Sequence, residues 1–157
     1  MNAKSIKVAV TRQLPEPVET RLKELFDAKL SSSSLLMSKD QLYSLVKDCD
    51  VLVPTIGDQI DNHMIQSAGK KMRLIANYGA GFDHIDVQSA NKLGIVVTNT
   101  PNVLTEDTAD MAMALILSVP RRIKEGAKLL LDDDWDGWAP NALLGHRIHG
   151  KRLGILG

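Results

Sequence analysis

Short β-branched apolar runs alternating with helix-patterned segments constrain this 157-residue chain more than any other feature. The runs are 6–10 (Ile-Lys-Val-Ala-Val), 28–30 (Ala-Lys-Leu), 51–53 (Val-Leu-Val), 73–76 (Arg-Leu-Ile-Ala) and 95–98 (Ile-Val-Val-Thr). They read as continuous apolar stretches rather than as alternation, the mark of strands covered on both faces. Between them lie helix signals. Pro15-Glu16-Pro17 opens a helix through Phe26, with proline and acid in its first turn. Ser38 and Gln41 have capping-box spacing and start a helix through Lys47. Asp61 caps Asn62 to Ala68, with Ile60 placed to staple onto Ile65 and Gly69 suited to a left-handed C-terminal position. Asp86 caps a helix through Leu93 that Gly94 ends.

Strands that alternate with helices at this spacing are joined by crossovers and lie parallel. The expected class is therefore α/β: a flavodoxin-like, doubly wound, parallel five-stranded sheet over residues 1–100. The pattern then changes. Thr105 is expected to cap a long crossover helix within 101–127, with Glu106, Asp107 and Asp110 near its start and Arg121, Arg122 and Lys124 near its end, as the helix dipole favours. From Met111 to Val119 the segment has almost no polar stripe, so it needs cover from another domain or another subunit. Residues 128–149 read as an extended arm holding both tryptophans, Trp135 and Trp138, either pinning the arm to its own domain or anchoring an interface. Residues 150–157 read as a further strand.

Charge and composition narrow the function classes. Nineteen basic side chains balance nineteen acidic ones, and the isoelectric point is near 6.9, which argues against nucleic acid or an anionic membrane as partner. Aromatic residues are only 4%, too few to build stacking platforms for bases. No run approaches the ~20 apolar residues of a membrane span, and no apolar core precedes a cleavage site. The single cysteine, Cys49, makes no internal disulfide and reads as an inert buried thiol, which points to a reducing, cytoplasmic setting.

Two segments offer chemistry. Gly79-Ala80-Gly81-Phe82-Asp83 lies between a strand and a helix, where backbone amides can form a nest for a small carboxylate. The bland reading is a turn that only reverses the chain. It is no dinucleotide fingerprint, because His84 stands where a glycine is required. The second segment, Asn99 to Thr108, joins a strand end to a helix start, and Thr105 and Thr108 serve there as caps or as ligands to a phosphate. His146 and His149 have no acidic or thiol ligand beside them, so no metal site is expected. His84 and Asp83 are adjacent and point apart, which makes them a poor acid–base pair. Thr11-Arg12 and Pro54-Thr55 occupy the strand ends where a receiver domain carries acids. No nucleophile elbow or phosphate loop occurs.

The run from Leu74 to Asp86, with Asn77-Tyr78-Gly79-Ala80-Gly81-Phe82-Asp83-His84 at its centre, resembles the substrate loop of D-isomer-specific 2-hydroxyacid dehydrogenases. The run from Gly94 to Asp110 is similar to the same family's crossover. Val10 to Pro15 and Trp135-Asp136-Gly137-Trp138 resemble its glyoxylate/hydroxypyruvate reductase branch. The resemblance implies a two-domain oxidoreductase in which a flavodoxin-like domain binding a small 2-keto or 2-hydroxy acid closes over a Rossmann domain holding NAD or NADP. It assigns Thr55, Gly79, Ala80 and Gly81 to the substrate, and Ala80, Thr108, Leu156 and Gly157 to the cofactor. It also implies a homodimer built from the Met111–Val119 helix and the Trp135/Trp138 arm.

Family members run to about twice this length. The resemblance makes 150–157 the first strand of a truncated cofactor domain and Gly157 the first glycine of its fingerprint. The family's catalytic Arg, Glu and His then lie outside this sequence, so the chain is expected to contain no catalytic residue and to be inactive alone. The alternative is a stand-alone carboxylate-binding or dimerisation module.

Overall fold

The computed structural model describes residues 3–156. It divides into two compact units, Met1–Val103 and Leu104–Gly157. The first holds β1 (Lys7–Val10), α1 (Glu16–Leu25), β2 (Asp27–Lys29), α2 (Lys39–Asp48), β3 (Val51–Val53), α3 (Asn62–Ser67), β4 (Leu74–Ala76), α4 (Val87–Lys92) and β5 (Val96–Thr98). All strand pairs are parallel, in the order β2-β1-β3-β4-β5. That is the flavodoxin-like winding expected from the sequence.

Side chains alternate across each strand and divide the core in two. Ala9, Leu52 and Ile75 face one side, where α2 adds Leu42, Leu45 and Val46, α3 adds Met64 and Ile65, and α4 adds Ala90. Val8, Val10 and Val53 face the other, where α1 adds Val18 and Leu22. The caps fall where the sequence puts them. Ser38 and Gln41 close a reciprocal capping box, Asp61 accepts from the Met64 amide and Asp86 from the Ser89 amide. Gly69 and Gly94 are left-handed, at φ +66° and +71°. Cys49 is buried, and desolvation pushes its thiol up to about 11.

Cover on both faces holds for β1 and β3 but not for the edges. In β2, Asp27 and Lys29 are exposed. In β5, Val97 packs on the larger core while Val96 is 57% exposed. For Val96 the physical reason is that α1, the helix of the first unit packed on that face, covers Val8, Val10 and Val53 and does not reach it.

The rim holding the amino ends of the strands is tied by charge. Asp48 takes both the Lys7 and Lys71 ammonium groups, at 3.0 and 3.1 Å, and the Lys7 amide donates to Asp50 at 2.8 Å. Hydrogen bonds from Lys7 and then Lys71 hold the Asp48 carboxyl below its ordinary range, and the bond to Asp48 raises Lys7 in return.

The second unit holds α5 (Thr105–Ser118) and α6 (Ile123–Leu131), which corrects three expectations. The N-cap of α5 is Leu104, with no side-chain cap, and Thr105 is the first helical residue. The single helix expected within 101–127 is two. Pro120 brings no amide hydrogen to continue the ladder, and Arg122 turns left-handed at φ +56°, so the basic cluster sits at a corner. The expected arm begins later than 128, because α6 runs to Leu131. It is pinned by the His146 amide, which donates to the Pro120 carbonyl at 2.8 Å. Trp138 does not pin it, being 85% exposed. Lys151 to Leu156 form no strand. A strand needs a neighbour for its backbone groups, and no described strand pairs with them. No described helix is long and apolar enough to cross a membrane.

Candidate functional site

A parallel sheet delivers every strand's carboxyl end to one rim. Here that rim collects Thr11 and Arg12 after β1, the turn Thr55–Asp58 after β3, Asn77 to Gly81 after β4, and Asn99 and Thr100 after β5. Ala76 pairs with Thr98, so Asn77 and Asn99 occupy equivalent positions one residue past the ladder.

Those two asparagines shape the glycine loop. The Asn77 side-chain amide, 3% exposed, donates to the Gly79 carbonyl at 3.1 Å and to the Gly81 carbonyl at 2.9 Å. The Asn99 amide donates to the Ala80 carbonyl at 2.8 Å, and the Thr100 backbone amide donates to Gly79 at 3.0 Å. Three successive carbonyls are therefore turned toward the protein. The peptide bonds are trans, so each following N–H points the opposite way. The amides of Ala80, Gly81 and Phe82 find no acceptor among the described residues. Gly79, expected to give its amide to the same nest, has no acceptor either. Neutral donors clustered on a half-exposed loop suit a small anion.

The space around the loop agrees. A Cβ added at Gly81 would meet nothing within 4 Å, whereas one at Gly79 would lie 3.2 Å from Ile56 Cγ1. Gly81 thus borders a shallow cleft whose other walls include Ile56, Gly57, Asp83 and His84. His84 does not work with Asp83. Its Nε2 meets Asn77 Oδ1 at 3.1 Å.

The turn after β3 extends the pairing to the loop itself. Thr55 bridges to Tyr78 in parallel register, and the Tyr78 amide donates to the Pro54 carbonyl at 2.9 Å. Asp58 closes the turn by donating its amide to the Thr55 carbonyl at 3.1 Å. Gly57 sits at φ +104°, a conformation that favours glycine. Thr55, assigned to the substrate by resemblance, spends its amide and hydroxyl hydrogens on the Asp58 carboxylate at 2.8 and 3.1 Å.

The remaining assigned residues belong to the second unit. Thr108 directs both its amide and its hydroxyl to the Leu104 carbonyl, at 3.0 and 2.8 Å. Leu156 is fully exposed in irregular chain, and Gly157 lies outside the described residues. Thr108 has little to give a phosphate. The first turn of α5 carries Glu106 and Asp107, whose charges oppose a phosphate, and Thr108 offers no free hydrogen.

Asn77 and Asn99 fell within the segments picked out from the sequence but were given no role there, and Asp58 was not picked out. The asparagines left a faint signal, since each follows a strand end directly. Asp58 left only its three-residue spacing from Thr55, since its other partner, Thr11, is 47 residues away.

Comparison with known proteins joins these observations. The family profile described as D-isomer specific 2-hydroxyacid dehydrogenase, catalytic domain, matches residues 8–143. A glyoxylate reductase of Korarchaeum cryptofilum is 41% identical over 152 residues, covering 96% of this chain and 46% of its own. A solved Polaromonas structure, described as an NAD-binding D-isomer specific 2-hydroxyacid dehydrogenase, is 31% identical with a TM-score of 0.85 over 95% of this chain and 47% of that one. A solved Thermus thermophilus protein is 41% identical with a TM-score of 0.81, over 89% of this chain and 45% of its own. The chain spans about half the length of the curated relatives it matches.

Proposed function

Because this chain belongs to the D-isomer-specific 2-hydroxyacid dehydrogenase family, we propose that its glycine loop grips the carboxylate of a small 2-keto acid. The observation that carries the reading is the inward capture of the Gly79, Ala80 and Gly81 carbonyls by Asn77, Asn99 and Thr100. It leaves a row of backbone amides free for an anion. Such donors are fixed before the ligand arrives, so binding spends little on ordering them.

Glyoxylate and hydroxypyruvate are the substrates proposed, the first supported by the names of the relatives. In this reading the first unit binds and orients the keto acid, with Ile56 and His84 bordering the bound molecule. NAD or NADP in its reduced form would supply the hydride of that reduction. The 157-residue chain on its own is proposed to bind without turnover.

The second unit is proposed to form a homodimer. Met111, Leu115, Trp135 and Trp138 are large, apolar and exposed, which suits interface anchors.

The test is a titration of the ¹⁵N-labelled chain with oxamate, an unreactive keto-acid analogue. The Ala80, Gly81 and Phe82 amide resonances are expected to move together and saturate. Shifts confined to other residues reject the reading.

A further inference from the structure

Asp58 is 1% exposed, and nothing above assigns it a part in binding. One carboxylate oxygen, Oδ2, accepts three hydrogen bonds: from the Thr11 hydroxyl at 2.6 Å, the Thr55 amide at 2.8 Å and the Thr55 hydroxyl at 3.1 Å. The other, Oδ1, is buried without a partner. A buried carboxylate is costly, and the backbone bond from the Asp58 amide to the Thr55 carbonyl already closes the turn without it. What Asp58 adds is a tie between two strand ends, because Thr11 follows β1 and Thr55 follows β3. Arg12 makes a second tie to the same turn, donating to the Ile56 carbonyl at 3.2 Å.

The turn held in this way touches the glycine loop twice. Thr55 is in register with Tyr78, the residue before Gly79. Ile56 Cγ1 lies 3.2 Å from where a Gly79 side chain would begin. We propose that Asp58 is a positioning residue of the anion site: it fixes Thr55 to β1 and thereby sets the depth of the loop whose amides receive the carboxylate. The proposal rests on the reading of that loop given above. Its logic concerns position and not charge, since three donors converge on one oxygen and any acceptor of the same shape holds them.

The test uses the 157-residue chain labelled with ¹⁵N, with oxamate as probe. Asp58→Asn offers an oxygen to the same three donors; Asp58→Ala offers none. The expected result is affinity within about twofold of the parent for Asp58→Asn and about tenfold weaker for Asp58→Ala, on the scale of a lost buried hydrogen-bond group. Tyr78 amide exchange, measured without ligand, is expected to speed up only in Asp58→Ala. Should that variant fail to fold, Thr55→Val, which keeps the amide bond and loses the hydroxyl bond, is expected to weaken affinity by a smaller factor. Parental affinity in a folded Asp58→Ala overturns the proposal, as does equal loss in Asp58→Asn and Asp58→Ala, or parental affinity in Thr55→Val where that variant is the one used. If oxamate leaves the parent's Ala80 and Gly81 amides unmoved, the loop reading itself fails, and the Tyr78 exchange result still reports separately on whether Asp58 fixes the turn.

Discussion

Asn77 presents its side-chain oxygen to His84 Nε2 at 3.1 Å because its nitrogen is fully used, with both hydrogens on the carbonyls of Gly79 and Gly81. An amide oxygen only accepts, so the histidine must donate. The neutral ring is therefore expected to carry its hydrogen on Nε2, which a long-range ¹H–¹⁵N spectrum of the imidazole reports directly. A ring protonated on Nδ1 alone contradicts the arrangement. Asn77→Ala removes the donors from two buried or half-buried carbonyls and is expected to cost about 1–3 kcal/mol, read from the denaturant midpoint.

Gly81→Ala separates folding from binding. The added methyl meets nothing within 4 Å and the backbone there is not left-handed, so stability is expected to change by less than about 1 kcal/mol. The methyl projects into the space assigned to the carboxylate, and oxamate affinity is expected to fall about tenfold, or roughly 1.4 kcal/mol. Calorimetry showing undiminished affinity sinks the assignment of that space.

Gly145→Ala is expected to damage the second unit. Its Cβ would stand 2.4 Å from the Pro120 carbonyl oxygen, an approach no side chain tolerates. The backbone must move and the bond from His146 to Pro120 must lengthen. A cost of about 1–3 kcal/mol follows from such crowding, and the His146 amide is expected to exchange faster with deuterium.

Acid is expected to loosen α4 before the sheet. The Asp86 carboxyl accepts from the Ser89 amide at 2.9 Å and the Ser89 hydroxyl at 2.7 Å, and these bonds, the amide first, hold its pKa below the ordinary value. A carboxyl depressed in the folded state contributes stability that is present above its unfolded pKa and is lost as pH falls through the folded one. Asp86→Asn is expected to flatten this part of the stability–pH curve below the unfolded carboxyl pKa. A curve that keeps its full acid slope in the variant assigns the effect to another group.

A pair of lysines tests the proposed dimer. Met111 and Leu115 are one helical turn apart on α5 and lie on the same face. Met111→Lys with Leu115→Lys is expected to convert a dimer into a monomer in sedimentation velocity while oxamate binding by the first unit is kept. A parent chain that already sediments as a monomer at high concentration removes the dimer.

Local signals made the first unit legible. Ser38 with Gln41, Asp61, Asp86, Gly69 and Gly94 each act within a few residues of themselves, so spacing alone located them. Parallel pairing followed from the alternation of strand and helix signals. The exposure of Val96 was not legible, because it depends on how far α1 reaches across the second face. Nor was the break after Ser118, where the pull of a long apolar segment outweighed Pro120. At the candidate site the glycines stood out by type. Asn77 was hidden because its importance lies in what its amide holds, and Asp58 because Thr11, 47 residues away in sequence, meets it only after β1 and β3 have paired.

The two rims of the sheet answer differently to ionic strength. At the amino ends, the ammonium groups of Lys7 and Lys71 gather on Asp48 in the open, where added electrolyte screens them. At the carboxyl ends the loop is latched by neutral side-chain amides, which a salt gradient leaves alone. A decline in oxamate affinity as salt rises would therefore measure the guest's own charge rather than a slackening of its host.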